Sequence, residues 1–488
     1  MSLPPLIVDL DGTLIHTDML HESALRLVRD NPLKVLKIPV WLASGKANLK
    51  RRLAAENDFD AEILPYNEEL LAWLKQQRDE GRRLILCTAS DRAIAERIAA
   101  RVGLFDEVLA SDGEVNNAGR NKARALEERF GKGGFDYVGN SSADLAVWAS
   151  ARRAIVVNAR GGLVRRAASL CEVEHVVARP AGGLSAWRRM LRIHQWLKNL
   201  LLFVPLLAAH EFTNIPELTA LLVAFFSFSL CASSVYIAND LLDLESDRLH
   251  PRKRARPFAS GVMPVWIGVV LAPVLLATSL GLGSVVGRPF LAWLVSYFVL
   301  TCAYSWLLKR LVLVDCLTLA LLYTVRILAG AATVGHALSF WLLAFSVFLF
   351  LSLAFVKRYA ELEVQLKALL RRSATDGGAT GGAKVHGRGY HTDDASLIQT
   401  MGITAGQASV VVLAFYLNSD AVIKLYRHPE AIWGAVPVML FWVNWMWVQA
   451  HRGNMNDDPL VFAVKDRTSL FAGVLFVAVL VAGAARWS

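Results

Sequence analysis

Residues Ala238–Gly261 read ANDLLDLESDRLHPRKRARPFASG, and the architecture of the whole chain can be worked out from them. The segment follows an apolar run, 218–237, long enough to cross a bilayer, and then sets Asn239, Asp240, Asp243 and Asp247 close together. Spacings of three, four and seven keep these residues on one face if the helix continues. Like charges at the mouth of a membrane helix repel one another and are costly to desolvate, so they call for a compensating cation. Hard carboxylate oxygens suit Mg²⁺, which keeps several waters and completes its shell with substrate phosphates. Directly downstream, Arg248, Arg252, Lys253, Arg254 and Arg256 supply donors for phosphate oxygens, the arginines through a two-pronged fork. Solvated acids at a helix end before a positive-inside loop would explain any one carboxylate. The whole constellation describes a diphosphate site at a membrane surface.

Composition divides the chain in two. With 55% hydrophobic residues among 488 and a mean hydropathy of +0.39, it is too apolar for a soluble enzyme, yet its first 180 or so residues are ordinary and polar. The net charge of +10 suits anionic lipid and phosphate substrates better than nucleic acid, for which no binding module is visible. Cys87, Cys171, Cys231, Cys302 and Cys316 form no CxxC pair, which argues against a zinc site or a disulfide framework. No basic and apolar leader opens the chain, so the N-terminal part is expected to stay in the cytosol.

The pattern NDxxDxxxD, 239–247, followed by a basic RP segment, resembles the first aspartate-rich motif of the UbiA-type intramembrane prenyltransferases, a likeness extending over about the last 300 residues. RxHQWxKN, 192–199, is similar to that family's opening segment, whose helix helps line the pocket. Lys198 and Asn199 then either face substrate or simply anchor the helix at the interface.

Near the N-terminus, Leu6–Leu10 is a short apolar strand that runs into Asp11-Gly12-Thr13. A buried strand ending this way presents Asp9 and Asp11 where open α/β sheets place their ligands. Asp9 can attack phosphorus, and Asp11 can act as the acid and base for the leaving oxygen. DxDGT resembles the signature of the haloacid-dehalogenase-like phosphatases. That resemblance implies a phosphate-binding hydroxyl at Thr88, a neutralising ammonium at Lys122, and Mg²⁺ on Asp9, Asp11, Asn140 and Asp144. Asn140 departs from the family's usual aspartate; its amide oxygen can still coordinate or accept a hydrogen bond, but a charge is lost. A degenerate domain kept as a scaffold is the competing reading. Helical patterns from about 18 to 64, including WLASGKANLKRRL, fit a substrate-selecting cap that is either a plain amphipathic insertion or a membrane-surface element.

The expected fold is a doubly wound α/β phosphatase-like domain with a small helical cap, joined to an all-α membrane domain of about nine transmembrane helices. The boundaries read 1–177 for the first domain (cap about 18–64), 178–190 for a linker, and 191–488 for the second. The spans fall at roughly 197–212, 217–238, 262–284, 290–308, 311–333, 338–356, 398–418, 431–450 and 468–485. Loop charges orient both sites toward the cytoplasm, in a multi-pass protein of the inner membrane.

Arg326 lies at membrane depth, either as a phosphate ligand or in a structural pair with Asp315. Lys357, Tyr359 and Glu361 stand where the family's second polar motif belongs, and Tyr390 follows a glycine-rich segment that reads as a mobile lid. The loop 451–469, with Asp457, Asp458, Lys465, Asp466 and Arg467, either binds phosphate or is a solvated loop, the second being favoured. No second DxxxD motif is present. KRYAEL, 357–362, instead resembles the decaprenyl-phosphate phosphoribosyltransferase subgroup, which implies a phosphoribosyl pyrophosphate donor and a polyprenyl phosphate acceptor.

On this reading Asp240, Asp243 and Asp247 hold Mg²⁺ in the transferase as the phosphatase quartet does in the first domain. Asn239, Lys253, Arg254, Arg256, Arg326 and Lys357 bind substrate. The phosphatase would then remove the 5-phosphate of the ribosyl lipid, a step toward pentose donors for envelope polysaccharide. The alternatives are an aromatic prenyltransferase for quinones or haem with an unrelated phosphatase, and a membrane-anchored phosphatase or scaffold. The partners are the two substrates and the bilayer, and a homo-oligomer is left open.

Overall fold

The computed structural model describes residues 3–56, 58–111, 117, 119–158, 161–178, 182–211, 213–376, 389–455 and 458–484, with side chains 368–376 and 421 set aside. These fall into two compact units, Met1–Leu191 with Tyr236–Ala272, and Arg192–Val235 with Pro273–Ser488.

The first unit is organised by a parallel sheet of β1 (Leu6–Val8), β2 (Leu84–Asp91), β3 (Glu107–Ser111), β4 (Asp136–Gly139), β5 (Arg153–Val157) and β6 (Glu172–Val177). The order β3-β2-β1-β4-β5-β6 makes the edge between β1 and β4 the topological switch point, where such sheets bind ligands. Leu6, Ile7 and Val8 are fully buried, as a central parallel strand covered on both faces requires. Asp9 and Asn140 follow β1 and β4 directly, so the strand ends themselves bring them together.

Between β1 and β2 the cap opens with helix α1 (Met19–Asp30), whose first turn is capped by the Asp18 carboxylate. Leu27, Leu49 and Leu53 form the cap's own small core. The same unit takes in the end of the helix Ile215–Leu242, the acidic stretch, and the start of the helix Val265–Val286. Of the expected linker, residues 179–181 lie outside the described ones, while Gly183–Met190 is helical and buries Ala186 and Met190.

The second unit is helical. Among the described residues, eight helices are long and apolar enough to cross a membrane: Ile215–Leu242, Val265–Val286, Arg288–Trp306, Val314–Val334, Phe340–Lys367, Thr392–Leu417, Pro429–His451 and Arg467–Ala484. The expectation of nine spans is corrected at the first. There the chain forms a 3₁₀ helix, Ile193–Phe203, followed by a short α-helix, Val204–Ala208, with a proline in its first turn. Together they make a stretch of sixteen residues, Ile193–Ala208, short of a full span.

Candidate active sites

At the β1 end, Lys122 Nζ donates to Asp9 Oδ1 at 2.6 Å, to the Cys87 carbonyl at 3.1 Å and to Tyr137 Oη at 3.0 Å. Thr13 donates to the other Asp9 oxygen at 3.3 Å. Burial pushes the Asp9 carboxyl up against the pull of Lys122. Burial works against the Lys122 charge too, but Asp9 and its neighbours overcome it and hold the ammonium. Asp11 accepts from the Met19 amide, the first residue of α1, at 2.8 Å and from Ser90 Oγ at 2.7 Å. Burial, reinforced by Asp18, lifts Asp11 to about 7, so it can hold a proton at neutral pH as a general acid must. Thr88 is buried and turns its hydroxyl toward Asp11 at 3.4 Å. Ser90 is an addition to the expected set. It lies two residues from Thr88 on the same face of β2, which is the periodicity that could have found it.

Asp144 and Asn140, the ligands expected after β4, have partners of their own. Asp144 accepts from Tyr137 Oη at 2.9 Å through one oxygen, and from the Asn140 amide, the Ser141 amide and Ser141 Oγ at 2.9–3.1 Å through the other. These bonds cap the turn after β4 and orient Tyr137, and Oδ1, with a single donor, keeps acceptor capacity. Asn140 packs its amide over Gly12, where an added methyl group would collide with Nδ2. Gly12, at φ +72°, therefore cannot carry a side chain.

In the acidic stretch of the same unit, Asp240 lies in the last turn of the span and Asp243 stands directly before the short helix Leu244–Leu249, with no side-chain hydrogen bond to its first turn. Arg256 Nη1 bridges Asp240 Oδ1 at 3.0 Å and Asp247 Oδ2 at 2.6 Å. Asp247 is 1% exposed and its Oδ1 is buried without a hydrogen bond, with Lys253 Nζ no nearer than 3.9 Å. Burial raises the Asp247 carboxyl, and Arg256 only partly offsets this. A buried carboxylate oxygen without a hydrogen bond, on a residue that Arg256 ties to Asp240, offers a ligand to a divalent cation. Lys253 and Arg254 are exposed, and Asn239 is half-buried beside Asp240.

Arg248 differs from the phosphate-donor reading. Its guanidinium forks onto Glu22 of α1 at 2.6 and 3.1 Å and donates to the Ala259 carbonyl at 3.1 Å. Glu245 pairs with Arg29 at 2.6 Å and with Arg26. These bonds join the cap to the acidic stretch across more than two hundred residues of sequence.

In the second unit, Lys198 Nζ donates to Asp458 Oδ2 at 2.6 Å. Tyr323 donates to both oxygens of Asp458 at 2.9 and 3.0 Å, and Lys357 Nζ stands 3.7 Å away. Asp458 is therefore buried rather than solvated, whereas Asp457 lies outside the described residues. Burial pushes its carboxyl up, but Lys198 and Lys357 overturn that and bring it down to about 2. Asn199 accepts from Arg326 Nε at 2.8 Å and donates to Ser229 Oγ at 2.9 Å.

Arg326 further donates to Tyr297 Oη at 3.1 Å and to the Leu322 carbonyl, and among the described residues it meets no carboxylate. The alternative of a pair with Asp315 is corrected: Asp315 binds Arg358 at 2.5 Å, both fully buried, and Tyr390 donates to Asp315 at 2.5 Å. Glu361 also pairs with Arg358. Tyr359 bonds His451 Nδ1 at 2.9 Å and Glu363 at 3.3 Å. Glu361 and Tyr390 are thus engaged by Arg358 and Asp315, and the glycine-rich stretch 377–388 lies outside the described residues.

Two family models match the chain. Residues 6–148 match the haloacid dehalogenase-like hydrolase family, and residues 200–376 match the UbiA prenyltransferase family. The chain is 36% identical over 483 residues, 98% of its own length and 90% of the other's, to the uncharacterized protein y4nM of Sinorhizobium fredii. It is 38% identical over 208 residues, 41% of its length and 68% of the relative's, to decaprenyl-phosphate phosphoribosyltransferase of Mycobacterium tuberculosis. A UbiA homolog from Archaeoglobus fulgidus solved bound to GPP and Mg²⁺ aligns at 17% identity and a TM-score of 0.44, covering 61% of this chain and 99% of that one. The chain is a multi-pass membrane transferase of the UbiA prenyltransferase family, related to decaprenyl-phosphate phosphoribosyltransferase and fused to an N-terminal haloacid dehalogenase-like hydrolase domain.

Proposed function

We propose that the chain transfers 5-phosphoribosyl from phosphoribosyl pyrophosphate to a polyprenyl phosphate, and that its first domain then hydrolyses the 5-phosphate to give polyprenyl-phosphoryl ribose. The observation that carries the reading is the assembled phosphatase site, Asp9 on Lys122 with Asp11 near neutrality, in one chain with a relative of a phosphoribosyltransferase. A ribosyl lipid that still bears its phosphate is a phosphomonoester, which is the bond such a site breaks.

In the transfer, the lipid phosphate oxygen attacks the anomeric carbon as the bond to pyrophosphate breaks. Mg²⁺ on Asp240, Asp243 and Asp247 would supply the positive charge that makes pyrophosphate a good leaving group. Lys253, Arg254 and Arg256 in the first unit offer phosphate donors. Lys198, Asn199, Arg326 and Lys357 do so in the second, each assigned on its own surroundings. Arg326 favours an anion because a buried guanidinium held only by neutral groups leaves its charge uncompensated. In the hydrolysis, Asp9 attacks phosphorus, Asp11 gives its proton to the departing ribose oxygen, and Asp11 then takes a proton from the water that cleaves the aspartyl phosphate. Both reactions are assigned to the cytoplasmic face of the inner membrane.

The test supplies purified protein with Mg²⁺, phosphoribosyl pyrophosphate and polyprenyl phosphate. Wild type forms ribosyl lipid, and Asp240→Asn and Asp243→Asn lose at least about a hundredfold in rate. Unchanged rates in both variants would reduce the membrane part to an anchor, and prenylation of an aromatic acid from a prenyl diphosphate would replace the proposed transfer.

A further inference from the structure

The cap carries an apolar surface that its own core does not use. After α1, the chain turns through a 3₁₀ helix, Pro32–Lys37, and a short helix, Ile38–Ala43. Leu33, Leu36, Val40 and Leu42 on these turns are 82, 78, 66 and 47% exposed, while Ile38 and Trp41 pack inward against Leu27, Leu49 and Leu53. Four large aliphatic side chains exposed within ten residues are not a random scatter of surface leucines. Along the stretch that carries them the charge has one sign, and in space, among the described residues, Glu56 pairs with Lys34 alone of its lysines. Between Asn31 and Glu56 there are six lysines and arginines and no acid. Lys37 and Lys46 are exposed beside the patch.

An exposed apolar strip edged by lysines, with a tryptophan at its base, is the composition of an element that lies in the plane of an anionic membrane surface. A second observation says where the cap is held. Glu22 of α1 forks with Arg248, and Arg26 and Arg29 pair with Glu245, three residues past the end of the span Ile215–Leu242. The Glu22–Arg248 pair is nearly buried, so it is a fixed attachment and not a passing surface contact. The cap is therefore tied to the chain where it leaves the bilayer.

We propose that the cap docks on the lipid surface, Leu33, Leu36, Val40 and Leu42 entering the headgroup layer while Lys37 and Lys46 meet lipid phosphates. Its role rests on the proposed function: the phosphomonoester to be hydrolysed is carried on a polyprenyl chain that stays in the bilayer, so the phosphatase must work at that surface. The binding itself does not depend on that reading.

The test uses the full chain in nanodiscs containing anionic lipid, with an environment-sensitive fluorophore on Leu36→Cys and identically treated wild type as background. Docking predicts blue-shifted emission that is quenched by lipids carrying a nitroxide near the headgroup. Water-like emission with no quenching would overturn it, as would emission that shifts only when two copies share a disc, which would make the patch a contact between chains. A second arm compares hydrolysis of ribosyl lipid phosphate with hydrolysis of soluble p-nitrophenyl phosphate in the triple variant Leu33→Ser, Leu36→Ser, Val40→Ser. The lipid-to-soluble rate ratio should fall about tenfold; an unchanged ratio would overturn the role in substrate access. If wild type forms no ribosyl lipid, the proposed function fails while the quenching arm still decides the docking.

Discussion

Asp458→Asn removes one charge from a buried cluster while keeping the side chain's shape. Asp458 accepts from Lys198 and Tyr323 within 3.0 Å and lies 3.7 Å from Lys357, and its carboxyl is held near 2 instead of the ordinary 3.8. At about 1.4 kcal/mol per pH unit, that depression contributes on the order of 2 kcal/mol of stability at neutral pH. Because the folded-state value is the lower one, the contribution is complete above about pH 4 and is lost as pH falls through 2. The asparagine forfeits it and also strands the buried Lys198 ammonium, for which breaking a buried pair costs about 3–5 kcal/mol. The two figures describe one interaction from its two ends, so the expected loss is about 2–5 kcal/mol and not their sum. Unfolding by SDS titration in mixed micelles measures it for wild type, Asp458→Asn, Lys198→Met and the double variant. The double variant should cost less than the two singles together by at least about 1.5 kcal/mol. A single-variant loss under about 0.5 kcal/mol, or strict additivity, would show that the cluster does not hold this end of the bundle.

Asp11 behaves with the opposite sign. Its carboxyl is raised to about 7, so the folded state favours the protonated form, and this favourable term is present below about pH 4 and lost as pH rises through 7. Asp11→Asn should therefore stabilise the magnesium-free protein at pH 8, by up to ~4 kcal/mol, and give no gain at pH 4, while phosphatase activity disappears; melting curves at the two pH values check this. Arg358→Met should destabilise by about 3–5 kcal/mol in the same SDS titration, since it removes the guanidinium partner of the fully buried Asp315. Gly12→Ala should lower phosphatase activity by at least about tenfold and leave ribosyl transfer intact, because its methyl group collides with Asn140. Asn140→Asp should lower the Mg²⁺ concentration for half-maximal phosphatase activity by about tenfold, read from a magnesium titration.

What could be read from the sequence was local. An apolar strand ending in DxDGT and an apolar run ending in NDxxDxxxD each place their acids by chain geometry alone, and the fold delivers Asp9 beside Lys122 and Asp240 near Asp247. Partnerships across the chain were not legible. Arg358 belongs to Asp315, and Asp458 to Lys198, through helix packing that no periodicity encodes. Asp458 did carry a signal, since an aspartate before proline is a natural cap for the helix Pro459–Lys465, and a capping acid is not free in solution. Arg248 escapes a local reading for the same reason: its place in a basic run suggests a phosphate donor, while Glu22, far away in sequence, claims it.

That one chain both makes a phosphorylated ribosyl lipid and dephosphorylates it can be decided by mass spectrometry of lipid products. Purified wild type and Asp9→Asn are each given Mg²⁺, phosphoribosyl pyrophosphate and polyprenyl phosphate. Wild type should yield polyprenyl-phosphoryl ribose, and Asp9→Asn should accumulate its 5-phosphate. The 5-phosphate as the final product of both proteins would contradict the coupled second step, and ribosyl lipid from neither would contradict the transfer itself.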